Sequence, residues 1–118
     1  TRIASDARFD AKLTSLQFPG DLGRPPIYPR WMIHYYCSHL RAVPEPSFIF
    51  DTTETRDRKR GAIEAYASQF VQNPKNRRVL DMISASDAYF GSRIGTESGE
   101  PLWMREPMGL DGLVSLVR

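Results

Sequence analysis

Three residues of types that commonly bind zinc, His34, Cys37 and His39, fall in one short segment. Side chains alternate along an extended chain, so Cys37 and His39 share a face while His34 points to the other, and three ligands cannot converge from this segment alone. Packed or interface histidines are the expectation. Covalent catalysis needs a Ser or Cys beside a base that an acid orients, and neither a G-x-S-x-G elbow nor a local cysteine-protease pattern occurs. The carboxylate pairs Asp6 with Asp10 and Asp51 with Glu54 sit, respectively, four apart on a helix with basic neighbours and at a helix start, where solvation and capping account for them. The basic runs Arg56-Asp57-Arg58-Lys59-Arg60 and Lys75-Asn76-Arg77-Arg78 are diluted by acids, which predicts a solvated helix face and no nucleic acid partner. Arg30 stands apart. It lies between a proline-rich loop and an apolar segment, where an arginine either pairs with an acid or awaits an anionic ligand.

The elements that must position these residues belong to a chain of 118 residues, 41% hydrophobic and 25% charged. That size supports one hydrophobic core, and no apolar run approaches the roughly 20 residues of a membrane span. Sixteen basic residues against 14 acidic ones give a net charge of +2 without a broad positive field. The lone Cys37 rules out an internal disulfide, and the first residues lack the layout of a secretory signal, so the expected location is cytoplasmic.

The spacing predicts a helix from Arg2 to about Thr14, with Ile3, Ala7 and Ala11 recurring at four-residue steps. A first element that opens at residue 1 predicts a piece of a longer protein. Residues 17–30 hold four prolines and two glycines, which prevent a regular element. Trp31–Cys37 is apolar or aromatic on both alternating faces, as in an internal strand covered on both sides. A second strand is expected at Ser47–Asp51, and then a helix that Asp51-Thr52-Thr53-Glu54 caps and that runs to about Val71. Its stripe is Ala62, Tyr66 and Phe70, with Ile63 beside it, and its first turns, including Lys59, face water. Asn73-Pro74 breaks it, and a further helix runs from about Asn76 to Arg93, with Leu80, Ile83, Phe90 and Ile94 aligned and Gly95 as terminator. From Thr96 onward Gly99, Pro101 and later breakers predict an irregular tail docked by Leu102, Trp103, Met104 and Leu110. Two strands are too few for a covered sheet, so another part of the protein is expected to complete it.

Several stretches in order, Asp6–Leu13, Tyr35–Leu40, Pro46–Asp51, Ala62–Phe70, Tyr89-Phe90-Gly91 with Ile94-Gly95, and Gly99–Leu102, resemble the C-terminal half of LmbE/PIG-L zinc-dependent deacetylases. The branch they resemble most is the one that serves bacillithiol biosynthesis. The resemblance implies an α/β chain: the C-terminal part of a Rossmann-like fold, built as helix, two strands, helical hairpin and docked irregular tail. Residues 1–118 would then be a single incomplete domain, without the N-terminal half whose A-H-P-D-D and H-P-D-H motifs supply the zinc ligands and the general base. Catalytic and metal-binding residues are accordingly expected to be none in this chain, and the chain alone is expected to be inactive. The intact enzyme would hydrolyse the N-acetyl group of an N-acetylglucosaminyl conjugate such as N-acetylglucosaminyl malate, with zinc as cofactor, as a homo-oligomer. By resemblance Arg30 borders the substrate pocket, where its fork suits an anionic aglycone. Ser86 stands where relatives often place an Arg, and Val79 where some have an aromatic, which leaves substrate choice open. The alternative expectation is a non-enzymatic binding or assembly module.

Overall fold

Glycine and proline, which read as breakers in the last quarter of the sequence, sit in the middle strand of the sheet. The computed structural model describes residues 2–13, 19, 20, 23, 25–37 and 45–114. Contacts divide the chain into two units, Thr1–Met32 and Ile33–Arg118.

In the first unit, helix α1 spans Arg2–Asp10. It closes earlier than its spacing predicts, through a tightened turn in which Leu13 N donates to Asp10 O at 2.9 Å. Thr14 lies outside the described residues. The carbonyl of Ala11 is then taken by Ile27 N at 3.0 Å, so the proline-rich loop returns to the end of the helix and satisfies one of its orphan acceptors.

In the second unit, β1 (Ile33–Tyr35), β2 (Phe48–Asp51) and β3 (Gly99–Met104) form a three-stranded antiparallel sheet in the order β1-β3-β2. Ile33 pairs with Met104 and Tyr35 with Leu102 on one side of β3, and Phe48 pairs with Leu102 and Asp51 with Gly99 on the other. The expected irregular tail is therefore corrected to a strand at Gly99–Met104, and that strand is central. Proline is tolerated there for a geometric reason. Thr52 N donates to Ser98 O at 3.0 Å in the β2 register, and alternation then turns the Pro101 nitrogen toward β1, where pairing stops at Tyr35. β1 is corrected as well. It is shorter than Trp31–Cys37, and among the described residues it is a sheet edge, with Ile33 and Tyr35 exposed.

Between β2 and β3 the chain forms a 3-10 turn at Thr53–Thr55, then α2 (Arg56–Glu64), α3 (Ala67–Phe70) and α4 (Arg77–Arg93). The helix expected to reach Val71 is interrupted at Tyr66, whose φ of −84° and ψ of 54° leave the helical region. The break leaves Tyr66 exposed while Ile63 and Phe70 are half-buried, so the predicted stripe of Ala62, Tyr66 and Phe70 is not kept. α4 matches its expected range, and Gly95 at φ 75° ends it while Ile94 N and Thr96 N both bond Gly91 O.

α4 lies against the start of β3 with almost no space between backbones. A Cβ on Gly91 would stand 2.7 Å from Ser98 N, and one on Gly99 would stand 2.8 Å from both Gly91 N and the Ile49 side chain. The register puts Ile49, Gly99, Pro101 and Trp103 on the sheet face toward α4. Ile33, Tyr35, Phe48, Phe50, Leu102 and Met104 fall on the other. On that second face Met104 is buried, while Tyr35 and Phe50 are 75% and 61% exposed. Among the described residues no helix is long and apolar enough to cross a membrane.

Candidate functional site

The loop that carries Arg30 is stiffened by Pro25, Pro26 and Pro29 and held to α1 by Arg8. Arg8 Nε donates to Pro29 O at 2.8 Å and Nη2 to Arg30 O at 3.0 Å, while the guanidinium lies 4.6 Å from the centre of the Tyr28 ring. Lys12 Nζ shares that ring at 5.3 Å and stands 4.3 Å from Phe9. Arg30 itself is exposed, with its guanidinium 5.1 Å from the centre of the Trp31 ring. Among the described residues no carboxylate lies within ion-pair distance of it. The planar guanidinium, held near an indole face and exposed, keeps N–H donors available to a carboxylate or phosphate.

Among the described residues His34 joins no ligand set. It sits on β1 opposite Trp103, with the rings 5.3 Å apart and tilted by 46°. Cys37 is half-buried, and His39 lies outside the described residues. Among the described residues no three His, Cys, Asp or Glu side chains converge where they could hold a metal ion. Asp51 accepts from Thr53 N at 3.0 Å and from Thr53 Oγ1 at 2.7 Å, which is a turn-capping role, and Asp6 pairs with Arg2 on the surface at 3.7 Å. Glu54 is exposed.

The basic run on α2 departs from expectation at one position. Arg56 meets Glu97 at 3.2 Å and Arg60 meets Glu64 at 2.9 Å near solvent, but the Lys59 side chain turns inward and is only 27% exposed. Its Nζ lies 2.9 Å from Asp87 Oδ2 and 3.4 Å from Glu100 Oε1, tying α2 to α4 and β3. Sequence reasoning passed over Asp87, although its place among Leu80, Ile83 and Phe90 on the inward stripe of α4 was a legible sign: a lone acid there needs a cation. Above this pair a cleft of about 270 Å³ opens between α2 and α4, with Ile63, Leu80 and Ile83 on its apolar side and Ser84 at its wall. The cations on its rim, Arg56, Lys59 and Arg60, already have carboxylate partners.

Beside Lys59 a hydroxyl pair closes the junction of β2 and β3. Thr52 Oγ1 and Ser98 Oγ are 2.8 Å apart and Ser98 is 1% exposed, while Ser98 N donates to Thr53 Oγ1 at 3.3 Å. Ser98→Ala leaves the Thr52 hydroxyl buried with this partner gone, and urea unfolding should show a loss of about 1–2 kcal/mol. Tyr36, whose hydroxyl donates to Glu45 O at 3.4 Å, has its pKa raised above 10.0 by burial. Its folded value exceeds the unfolded one, so this contribution is whole below pH 10.0 and fades as pH rises through the folded value. In Tyr36→Phe, alkaline unfolding titrations should show a shallower loss of stability than in the parent.

No family model matches the chain. Four chains of solved structures match it. One is the crystal structure of the conserved protein TT1542 from Thermus thermophilus, 28% identical, with a TM-score of 0.71 over 92% of this chain and 45% of that one. The chain thus spans less than half the length of the Thermus chain, and its mixed helix-and-strand fold is similar to that portion of it.

Proposed function

We propose that this chain is the C-terminal portion of a zinc-dependent deacetylase of the LmbE/PIG-L type, with a Rossmann-like fold in the whole protein. The observation that carries the reading is the ordered set of family-like stretches. Tyr35–Leu40 begins at the end of β1, Pro46–Asp51 includes β2, Ala62–Phe70 runs from α2 through α3, and Gly99–Leu102 opens β3. Neither A-H-P-D-D nor H-P-D-H occurs in the sequence, so in this reading the ligands and the general base belong to another part of the polypeptide. Zinc there would activate water and polarise the acetyl carbonyl. This chain would supply Arg30, exposed and 5.1 Å from the centre of the Trp31 ring, as the contact for an anionic aglycone such as malate on N-acetylglucosamine. The same reading makes the enzyme a cytoplasmic homo-oligomer.

The test is to express the open reading frame that contains this chain and to measure acetate release from N-acetylglucosaminyl malate. Activity should vanish with a chelator and return with zinc. A frame without codons for H-P-D-H and A-H-P-D-D, or a frame product that releases no acetate, overturns the reading and leaves a binding or assembly module in its place. In the active protein Arg30→Ala should raise KM about tenfold with kcat little changed, since it removes binding common to ground and transition states.

A further inference from the structure

The geometry points to Arg8 as the positioning residue that aims Arg30 at the anionic group of the substrate, an inference that rests on the proposed role of Arg30. The two carbonyls that Arg8 holds, Pro29 O and Arg30 O, belong to the peptide planes on either side of the Arg30 Cα. Both planes are gripped by one rigid guanidinium, and the directions of the flanking planes set the direction of the Cα–Cβ bond between them. The Tyr28 ring lies against the same guanidinium at 4.6 Å, and Ile27 N is anchored on Ala11 O at 3.0 Å. Pro29 fixes its own φ. Arg30 therefore leaves the backbone in a set direction although its side chain is exposed, and an anion that binds it need not order the loop first.

Lysine at position 8 keeps the charge but replaces a planar fork by a single point, which cannot hold both planes in the same way. In the longer polypeptide that contains this chain, Arg8→Lys should raise KM for N-acetylglucosaminyl malate about fivefold with kcat within twofold, by making loop ordering part of binding. A conjugate with an uncharged aglycone should show no such change, a selectivity that a purely structural role for Arg8 would not produce. In an Arg30→Ala background, Arg8→Lys should add nothing further.

The two readings fail separately. If Arg30→Ala leaves the preference for the charged aglycone intact, the role of Arg30 itself is wrong. If Arg30→Ala abolishes that preference while Arg8→Lys affects both conjugates equally, affects neither, or adds its full effect to Arg30→Ala, then Arg8 does not aim Arg30. Should Arg8→Lys fail to fold, Tyr28→Leu, which removes the ring against the Arg8 guanidinium, is read by the same comparison.

Discussion

Gly91→Ala should destabilise the second unit by about 3 kcal/mol, the upper part of the range for overpacking. The added Cβ would meet Ser98 N, C and Cα within 2.8 Å, and these are backbone atoms, tied to Thr52 just ahead of β3, rather than a side chain that can swing away. Gly99→Ala presses on the same contact from the other side, against Gly91 N and the Ile49 side chain, and should cost a similar amount. Because the two changes share one contact, the double variant should lose clearly less than their sum. Gly61→Ala is the internal control: it lies in α2 with nothing within 4 Å of the new Cβ, and should stabilise by about 0.5–1 kcal/mol. Urea midpoints for these variants decide the matter. A Gly91→Ala protein as stable as its parent would mean that α4 and β3 do not meet at these glycines.

The second large effect belongs to Lys59→Met. It strips the counter-charge from Asp87, whose side chain is 11% exposed, and leaves a carboxylate largely shut off from water. Breaking a fully buried pair costs about 3–5 kcal/mol, and because the Lys59 side chain is 27% exposed, about 2–3 kcal/mol is the expected loss. Arg56→Met, which removes a surface pair with Glu97, should cost under about 1 kcal/mol. Changing both Lys59→Met and Asp87→Leu should recover most of the loss, since an apolar pair of similar volume replaces an ion pair without leaving an orphan. Failure of that recovery would locate the effect in the Lys59 contact with Glu100.

The legible parts of this fold are those that local chemistry determines. Asp51 ends β2 and caps the following turn, Asn73-Pro74 separates helices, and Gly95 supplies the positive φ that closes α4. Each of these signals acts on residues a few positions away. β3 was hidden because its breakers are answered from a distance: Gly99 makes room for Gly91, and the Pro101 nitrogen points to where β1 has ended. The inward turn of Lys59 was hidden for a similar reason, since its partners Asp87 and Glu100 lie 28 and 41 positions along the chain. For the candidate site, the loop context of Arg30 was enough to single it out, and the sequence left open whether an acid or a ligand would meet it. The Arg8 hold on its backbone was not legible, because it depends on a proline-rich loop folding back onto a helix that it follows in sequence.

The placement of β3 bears on the order in which the molecule can assemble. Synthesis runs from β1 to β3, yet among the described residues β1 and β2 pair only with β3 and not with each other. On the ribosome both earlier strands therefore wait, with the backbone N–H and C=O groups that β3 will pair left open, until residues 99–104 have left the exit tunnel. β1 must find its partner across about seventy residues, a long loop closure that slows folding and prolongs the life of sticky, unpaired edges. Nascent chains stalled before Gly99 should consequently be the ones that chaperones hold longest.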